Sequence, residues 1–408
     1  MLTGKTLENY ADLVIKFGVN LQKGQGLEII CPVEKREVAH ALTRSAYKAG
    51  AKIVRMRWHD ELFDKIGYEY ADTTALADIP KWYVDSKNYL VEKGYCYIAV
   101  SAEDPNVFKD IPPKKISAVA KARSKALKKF SDAVMANGLR WCVVSVPTLA
   151  WAKQVFPNSK NPEEDLSKAI ETTMRLDKNN PTQEWEEHIK TLEKRAHFLN
   201  SKNFEYIQFK NNKGTNLKVG LADDHVWISA REKAQDGVYF VANMPTEEVF
   251  TSPHREKVDG VLYSALPLAE NGQIVDDFSI TFKDGKIIDF SAKKGYDTLK
   301  NLIETDSGTR RLGEIALIGK NSPVAQCGTL FYNTLFDENA SCHLAIGKAY
   351  PTTIKNGDSY TIKQLKEKGV NDSTEHIDFM IGTTDMSVIG IEKDGTETIL
   401  FSDGEWVI

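Results

Sequence analysis

The chain has 408 residues, enough for two domains with substantial cores. Its apolar content of 42% and charged content of 27% are typical of a soluble globular protein, and its net charge of −4 argues against nucleic acid as the main partner. No apolar run reaches the roughly 18 residues that a membrane span needs, and the first residues lack the pattern of a signal peptide, so we expect no membrane partner.

The five cysteines indicate the compartment. Their spacing is irregular and no CxxC pair occurs, which argues against a disulfide framework. Cys31, Cys96 and Cys142 lie in apolar, strand-like segments, where a free cysteine behaves as a small hydrophobic residue. We therefore expect free thiols and a cytoplasmic protein.

Strand-like and helix-like segments alternate along the first part of the chain. GLEIICPV, KIVRMRW, CYIAVS and LRWCVVSV predict strands, while residues 34–50 predict a helix and residues 113–138 a long basic one. This alternation predicts a parallel sheet with helices on its faces. The motifs GxGxxG and GxxxxGK[ST] are absent, so we expect residues 1–195 to form an α/β domain that serves as a wall or lid.

The predicted secondary structure changes near residue 200, from alternating strands and helices to mainly β-hairpins. After a polar helical connector over residues 160–200, two hairpins are predicted, over residues 204–221 and 277–292, followed by one helix over residues 296–304. The predicted fold class is therefore α/β plus α+β. An N-terminal parallel-sheet domain, 1–195, precedes a β-rich domain, 196–408, that carries the candidate metal ligands.

The segment HIDFMIG (376–382) places a histidine and an aspartate inside an apolar run. Alternate side chains of a strand face opposite sides, so Ile377 and Phe379 share a buried face while His376 and Asp378 share the other. An imidazole and a carboxylate on one face can bind one cation. A half-exposed strand with a polar outer face would give the same pattern.

Other segments supply similar groups. Glu314 and His343 each begin a buried-looking strand, and a carboxylate that enters a core needs a charge or a metal as partner. Glu247 and Glu248 are adjacent, so on an extended chain only one of them faces a given site. Three carboxylates and two imidazoles suit Zn, Co or Mn and exceed what one zinc ion takes, so two ions are expected. Such a pair can activate water and polarise a carbonyl group.

Three alternatives remain open at this point. The first is another dinuclear metal hydrolase, such as an amidase or a phosphoesterase. The second is a non-enzymatic α/β module that binds a small ligand, in which the His376 strand is merely structural. The third is a cysteine hydrolase built on Gln326-Cys327-Gly328. The HExxH and GxSxG signatures, which mark other classes of hydrolase, are absent from the sequence.

Four motifs together resemble a known family. NMPTEEVFTSP, RRLGEIALIG, CHLAIGKAYP and HIDFMIG, in this order and spacing, resemble the aminopeptidase T family of metallo-aminopeptidases, which includes aminopeptidase S, AmpS and PepS. The resemblance extends over the whole chain, including ADLVIKFGVNLQKGQ near its start. It implies hydrolysis of the N-terminal residue from peptides with a free N-terminus, two divalent ions per subunit, a homodimer and a site inside a cavity.

The resemblance also implies which residues act. The metal ligands would be Glu248, Glu314, His343, His376 and Asp378, with Glu314 and Asp378 as bridging groups. The functional tyrosine of the family would be Tyr350, which could donate a hydrogen bond to the tetrahedral oxyanion.

A carboxylate near the ions would accept the proton of the attacking water, and we expect Glu247 in this role if the backbone turns it into the site.

Overall fold

The computed structural model describes residues 2–270 and 273–408, which pack into two units. The first unit comprises Met1–Lys190 and Ala230–Thr246, and the second comprises Thr191–Ser229 and Glu247–Ile408. Each unit therefore combines two stretches of the chain. The predicted boundary after residue 195, and the role of the first part as a wall or lid, stay predictions.

The strands, in chain order, are β1 (Gly26–Pro32), β2 (Ile53–His59), β3 (Cys96–Ser101), β4 (Trp141–Ser145), β5 (Tyr206–Lys210), β6 (Asn216–Leu221), β7 (Glu232–Lys233), β8 (Tyr239–Phe240), β9 (Asn243–Met244), β10 (Val249–Thr251), β11 (Pro253–Tyr263), β12 (Leu268–Glu270), β13 (Gln273–Lys283), β14 (Lys286–Lys294), β15 (Leu312–Leu317), β16 (His343–Gly347), β17 (His376–Met380), β18 (Ser387–Ile391), β19 (Glu397–Ser402) and β20 (Glu405–Trp406).

The α-helices are α1 (Gly4–Leu13), α2 (Arg36–Lys48), α3 (Glu61–Tyr70), α4 (Thr73–Leu76), α5 (Lys81–Glu92), α6 (Pro113–Ala126), α7 (Lys128–Met135), α8 (Leu149–Val155), α9 (Pro162–Thr173), α10 (Pro181–Lys202), α11 (Tyr296–Ile303), α12 (Pro323–Gln326), α13 (Thr334–Asp337) and α14 (Ile362–Glu367). A π-helical turn spans Val14–Gly18, and 3₁₀ turns span Val33–Lys35, Glu338–Ala340, Pro351–Thr353 and Gly357–Ser359.

The first unit contains the predicted parallel sheet. Its five strands have the order β2-β1-β3-β4-β9, and every neighbouring pair is parallel. The inner strands carry fully buried residues such as Ile29, Ile98 and Val144, as parallel strands covered on both faces require. Strand β9 contributes only two residues to one edge of the sheet. The short β7 and β8 form a separate pair.

The predicted single helix over residues 113–138 is wrong in one respect. The structure has two helices, α6 and α7, separated at Leu127, whose φ of −92° and ψ of 9° leave the helical range. The second helix packs Phe130 against Tyr97 of β3, with the ring centroids 5.7 Å apart. The second helix therefore packs against the sheet after a break at Leu127 that periodicity alone did not predict.

The second unit is built from two antiparallel sheets. The larger has the order β12-β13-β11-β6-β5-β18-β19-β20, with β14 paired to β13, and the smaller has the order β10-β15-β16-β17. The sheets contact each other through Phe278 of β13 and Phe379 of β17, whose ring centroids are 5.8 Å apart. Ile377 and Phe379 are buried, which confirms the predicted buried face of HIDFMIG.

Both predicted hairpins are confirmed. In the first, β5 pairs with β6 so that Lys210 is opposite Asn216. In the second, Lys283 of β13 is opposite Lys286 of β14, which leaves a two-residue turn. The turn residues Asp284 and Gly285 have φ values of 49° and 73°, the positive values that such a turn needs.

Two further features bear on the predictions. None of the five cysteines forms a disulfide, as expected, and Cys327 alone among them is partly exposed. Across residues 2–270 and 273–408, we find no helix whose length and apolar character would let it cross a membrane.

Candidate metal centre

The smaller sheet of the second unit brings four predicted ligands onto one face. Residues opposite each other on neighbouring antiparallel strands share a face. Glu314 of β15 is opposite Ala345 of β16, and Ala345 is in turn opposite Asp378 of β17. Glu314, Ala345 and Asp378 thus form one row across the three strands. On the same face, the next row in one direction contains Ala316, His343 and Met380, and the next row in the other direction contains Gly347 and His376.

Small residues separate the ligands on this face. Ala345 lies between Glu314 and Asp378, and Gly347 is opposite His376. A larger residue in the middle strand would fill the space above it. Because these positions hold alanine and glycine, the longer side chains of the outer strands can extend toward each other above the sheet.

A β-bulge sets the direction of Glu314. The pairing of β15 with β16 shifts between Leu312 and Glu314, so these two residues face opposite sides of the sheet. Gly313 is the extra residue, and a Cβ atom there would lie 2.5 Å from the carbonyl oxygen of Gly347. Glycine at this position therefore lets the bulge form and directs Glu314 away from the core face.

Glu248 and Glu247 have different surroundings. Glu248 immediately precedes β10, and its Oε2 lies 3.4 Å from Nε2 of His343. The backbone N–H of Glu247 donates to Oδ1 of Asn339 at 2.7 Å, and its carboxylate interacts electrostatically with Arg195. Glu248 thus faces the other predicted ligands, whereas the contacts described for Glu247 point to Asn339 and Arg195.

The five predicted ligands form two groups that share Glu314. The first group is Glu248, Glu314 and His343, and the second is Glu314, His376 and Asp378; within each, the potential ligand atoms lie within 4.8 Å of one another. Oε1 of Glu314 is 3.3 Å from Nε2 of His343, and its Oε2 is 3.5 Å from Nε2 of His376. Tetrahedral ligands with bonds of about 2.0–2.1 Å are about 3.3–3.4 Å apart. The observed spacings therefore suit ligands of a small divalent cation.

Backbone carbonyls orient both imidazoles. Nδ1 of His343 is 2.9 Å from the carbonyl oxygen of Glu338, and Nδ1 of His376 is 2.6 Å from that of Lys348. With a proton on each Nδ1, the Nε2 atoms present lone pairs to the carboxylates. Two acceptors face each other favourably only when a proton or a cation lies between them. The same hydrogen bond, from Nδ1 to a carbonyl oxygen, orients histidines that bind metals.

The electrostatics of the site favour a cation. Burial would lower the pKa of both histidines, but the neighbouring carboxylates outweigh it and raise the pKa to about 9 for His343 and about 10 for His376. Oδ1 of Asp378 lies 3.3 Å from Nε2 of His376, yet this buried atom has no well-aligned hydrogen bond. Burial of a carboxylate oxygen without a hydrogen bond costs free energy, and a bond from this oxygen to a metal ion would offset that cost. The residues present therefore fit a divalent metal.

Sequence reasoning missed one carboxylate of the site. Burial, followed by repulsion from Asp378, Glu248 and Glu314, raises the pKa of Glu338 well above its ordinary range. Its carbonyl oxygen is also the one that orients His343. Glu338 lies in a short 3₁₀ turn, where periodicity gives no signal, and only its position five residues before His343 could have drawn attention to it.

Two more glutamates border the second group. Burial, then repulsion from Glu375 and Asp378, raises the pKa of Glu270 to about 7. Glu270 ends β12, and Glu375 immediately precedes β17. This side of the site therefore carries negative charge beyond that of the predicted ligands.

Tyr350 lies beside the second group. Its ring centroid is 5.1 Å from that of His376 in an edge-on arrangement, and 5.8 Å from that of Phe250. The tyrosine also packs against a buried cluster that includes Ala316 and Ile318. The ring is thus held between the core of the second unit and a predicted ligand.

Comparisons with known proteins match the whole chain. The family model described as thermophilic metalloprotease, M29, covers residues 3–406. Aminopeptidase 2 of Geobacillus stearothermophilus is 42% identical over 404 residues, 98% of each chain. Aminopeptidase AmpS of Bacillus subtilis is 39% identical over 406 residues, again 98% of each. The solved structure of AmpT from Thermus thermophilus has a TM-score of 0.90 at 34% identity, with 99% of each chain covered.

Fold and site together define a metal-dependent peptidase. The chain belongs to the M29 family of metalloproteases, and it is an aminopeptidase. The resemblance carried by the four sequence motifs is thereby confirmed. A 2,5-dihydroxypyridine dioxygenase from Pseudomonas putida KT2440 has a TM-score of 0.55 at 10% identity, so it shares the fold alone.

Proposed function

We propose that the chain removes the N-terminal residue from peptides by means of two divalent ions. Their ligands are Glu248, Glu314, His343, His376 and Asp378. The observation that carries the proposal is the shared carboxylate of Glu314, whose two oxygens face different histidines at 3.3 and 3.5 Å. Glu314 would bridge the ions. Asp378 would be a second bridge, because its Oδ1 lies 3.3 Å from Nε2 of His376 and 3.9 Å from Nε2 of His343. Zn, Co and Mn are the candidate metals.

Metal and protein have separate roles in this proposal. When bound, the ions supply Lewis acidity that polarises the scissile carbonyl and lowers the pKa of water toward neutrality. The chain holds the ligands on neighbouring strands, which limits their movement. Its other residues must move a proton, stabilise the oxyanion and recognise the free amine.

Two carboxylates are candidates for the general base. The base accepts a proton from the attacking water and passes it to the leaving amine. Glu247 is the candidate from the sequence, and Glu338 is added by its surroundings, since burial and then repulsion from Asp378, Glu248 and Glu314 raise the pKa of its carboxyl group. A raised pKa suits a group that holds a proton during the reaction. We therefore place Glu338 first and retain Glu247 as the competing candidate.

Tyr350 is the proposed oxyanion donor. Its ring lies edge-on to that of His376, at 5.1 Å, so its hydroxyl is carried by a side chain that contacts a predicted ligand. A hydroxyl that donates to the developing oxyanion stabilises the transition state more than the ground state. Packing against the cluster of Phe250, Ala316 and Ile318 limits the movement of the ring.

Glu270 and Glu375 are the proposed partners of the free α-ammonium group. Their carboxylates lie on the side of His376 and Asp378 and repel each other, so a cation between them would be favourable. An N-terminal ammonium supplies that charge, whereas an acylated terminus does not. Recognition of this kind restricts cleavage to one residue at a time.

The remaining features of the proposal come from the family resemblance and from composition. The enzyme acts as a homodimer, with residues 196–408 as the catalytic domain and residues 1–195 as a wall or lid that excludes folded proteins. Its compartment is the cytoplasm, as five cysteines without a disulfide indicate.

Hydrolysis of leucine p-nitroanilide and its N-acetylated form tests the proposal. The purified chain should cleave only the free-amine substrate, a chelator should abolish cleavage, and a divalent metal should restore it. Glu314→Ala and His376→Ala should remove the activity and leave the circular dichroism spectrum unchanged.

Each alternative has its own outcome in the same assay. Activity that survives chelation but not thiol alkylation would support the cysteine hydrolase built on Cys327. Cleavage of p-nitrophenyl phosphate instead of the anilide would support a different dinuclear hydrolase. A protein that contains no stoichiometric metal and cleaves neither substrate would be a binding module.

A further inference from the structure

Two buried hydroxyl groups lie next to the backbone of Tyr350. The hydroxyl of Thr353 donates a hydrogen bond of 2.6 Å to the carbonyl oxygen of Tyr350, and the hydroxyl of Ser252 lies 2.6 Å from that of Thr353. Ser252 is 0% exposed and Thr353 is 1% exposed, so bulk water does not compete for either group. The two hydroxyls and the carbonyl oxygen form a chain of hydrogen bonds, which we call the Tyr350 anchor.

The direction of each bond in the anchor follows from the number of protons. A carbonyl oxygen can only accept, so the single hydroxyl proton of Thr353 points to Tyr350. Ser252 must then donate its own proton to the hydroxyl oxygen of Thr353. Hydrogen bonds in such a chain polarise and strengthen one another. Ser252 therefore fixes the hydroxyl of Thr353 in the orientation that holds the Tyr350 carbonyl.

Backbone hydrogen bonds hold the same residues. The N–H of Thr353 donates to the carbonyl oxygen of Tyr350 at 3.1 Å, in addition to the hydroxyl. The carbonyl oxygen of Thr353 accepts the N–H of Val226 at 2.6 Å, and that of Ser252 accepts the N–H of Ala222 at 3.1 Å. Both hydroxyl-bearing residues are thus bound to one short segment of the second unit, which limits their movement.

The anchor connects the tyrosine to the strand that follows a predicted ligand. Ser252 comes directly after β10, and Glu248 comes directly before it. Phe250, in the middle of β10, packs its ring 5.8 Å from that of Tyr350. One short strand therefore joins a predicted ligand, a packing surface for the tyrosine ring and the first hydroxyl of the anchor.

The proposed role of Tyr350 requires such a restraint. Packing against Phe250 and His376 limits the tilt of the ring. The hydroxyl lies at the far end of the side chain, however, so a small rotation of the backbone moves it by a larger distance. A donor stabilises an oxyanion when it lies about 2.7–3.1 Å away, and a displacement of about 1 Å can cost on the order of 10² in rate. The position of the Tyr350 carbonyl therefore affects the rate of the reaction.

We propose that Thr353 and Ser252 are positioning residues, which hold the hydroxyl of Tyr350 where the oxyanion develops. Thr353 acts directly on the backbone of Tyr350, and Ser252 acts through Thr353. This inference rests on the oxyanion role of Tyr350 in the proposed function. Because the restraint matters in the transition state, its loss should lower kcat and leave KM and the metal content unchanged.

A threonine of the first unit provides a matched control. Thr173 is 0% exposed, and its hydroxyl donates to the carbonyl oxygen three residues earlier, that of Ile170, at 3.0 Å. Thr353→Val should lower kcat by roughly 10–10², and Ser252→Ala should lower it less. Thr353→Ser keeps the hydroxyl and should retain most of the wild-type rate. Thr173→Val loses the same type of bond and should keep the wild-type kcat, while the unfolding midpoint reports the stability of every variant.

A double-mutant cycle with Tyr350→Phe tests whether the effect acts through the tyrosine. Without the phenolic hydroxyl its position no longer matters, so Thr353→Val should change the kcat of the Tyr350→Phe enzyme by less than about twofold. Ser252→Ala enters the same cycle, so the test holds even where Thr353→Val fails to fold.

Three results would contradict the inference. A wild-type kcat in Thr353→Val and Ser252→Ala, or an equal loss with and without the hydroxyl of Tyr350, would overturn the positioning role and leave the role of Tyr350 standing. A wild-type kcat in Tyr350→Phe would overturn the oxyanion donor of the proposed function, and the positioning role with it.

Discussion

Nε2 of His343 lies 3.3 Å from Oε1 of Glu314 on the neighbouring strand. The other oxygen of this carboxylate is 3.5 Å from Nε2 of His376, so one side chain serves both groups of predicted ligands. Glu248 belongs to the first group alone, and His376 belongs to the second group alone. This unequal sharing separates the expected effects of substitutions at these positions.

The metal content of three variants should follow this sharing. We expect two ions per chain in the wild type, one in Glu248→Gln, one in His376→Gln and none in Glu314→Gln, because an amide or a missing imidazole removes one ligand from a small shell. Plasma mass spectrometry after exhaustive dialysis measures the ratio. Peptidase activity should be lost in all three variants.

The control for these variants is Glu256→Gln, an exposed carboxylate with 62% of its side chain accessible. It should retain two ions and full activity. Equal metal content in Glu248→Gln and Glu314→Gln would contradict the shared role of Glu314.

The hydroxyl of Tyr350 is expected to act only in the transition state. Tyr350→Phe keeps the ring that packs against Phe250 and His376 but removes the donor. We expect kcat to fall by about 10²–10³ while KM and the metal content stay unchanged. Stopped-assay kinetics with the anilide substrate measure the effect.

Tyr360→Phe is the matched control for this substitution. Tyr360 packs against a different buried cluster, which contains Ala349, Ile354 and Leu365, and lies outside the described ligand groups. Its variant should keep the wild-type kcat. If Tyr350→Phe also kept it, the tyrosine would be a packing residue before Pro351 and nothing more.

A comparison of Glu338→Gln with Glu247→Gln identifies the general base. The amide cannot accept a proton, so the variant at the true base should lose about 10²–10⁴ in kcat and keep both ions. We expect this behaviour from Glu338→Gln and only a small change from Glu247→Gln. Parallel measurement of kcat and metal content distinguishes the possibilities. Loss of an ion from Glu338→Gln would make Glu338 a ligand, and the reverse pattern of rates would make Glu247 the base.

Local pattern predicted the faces of the strands but not their partners. Alternation in HIDFMIG correctly separated His376 and Asp378 from the buried Phe379, because the direction of each side chain depends only on its own strand. The row from Glu314 through Ala345 to Asp378 depends on the register between distant segments and on the bulge at Gly313. Neither has a signature within a single segment, so the convergence of the ligands could be inferred only from family resemblance.

Irregular and very short elements were harder to predict from the sequence than the pairing of regular strands. Glu338 lies in a 3₁₀ turn, where no periodicity distinguishes a carboxylate that enters the site from one in solvent. Strand β9 has two residues and joins the parallel sheet from a distant part of the sequence, through pairing with Val143 and Val144. A strand this short forms because it pairs with the edge of an existing sheet, so its own sequence could not have predicted it.

Asp306 should stabilise the segment that leads into β17. Its carboxylate accepts hydrogen bonds from the backbone N–H groups of Gly308 at 2.7 Å and Thr374 at 2.9 Å, and from the hydroxyl of Ser373 at 2.9 Å. Burial raises the pKa of Asp306, but these hydrogen bonds outweigh it and hold the pKa below its ordinary value. We expect Asp306→Ala to lower the free energy of unfolding by about 2 kcal/mol at neutral pH.

The pH dependence of this effect has a definite sign. Because folding lowers the pKa of Asp306, its contribution is complete above the unfolded value of about 3.9 and is lost as the pH falls through the lower value of the folded protein. Urea unfolding of the chelated protein between pH 3 and 7 should therefore show the wild type and Asp306→Ala converging at the acidic end. Asp289→Asn, at an exposed position on β14, should follow the wild type throughout. A constant difference between wild type and Asp306→Ala across the whole range would mean that the substitution acts through packing and not through the ionised carboxylate.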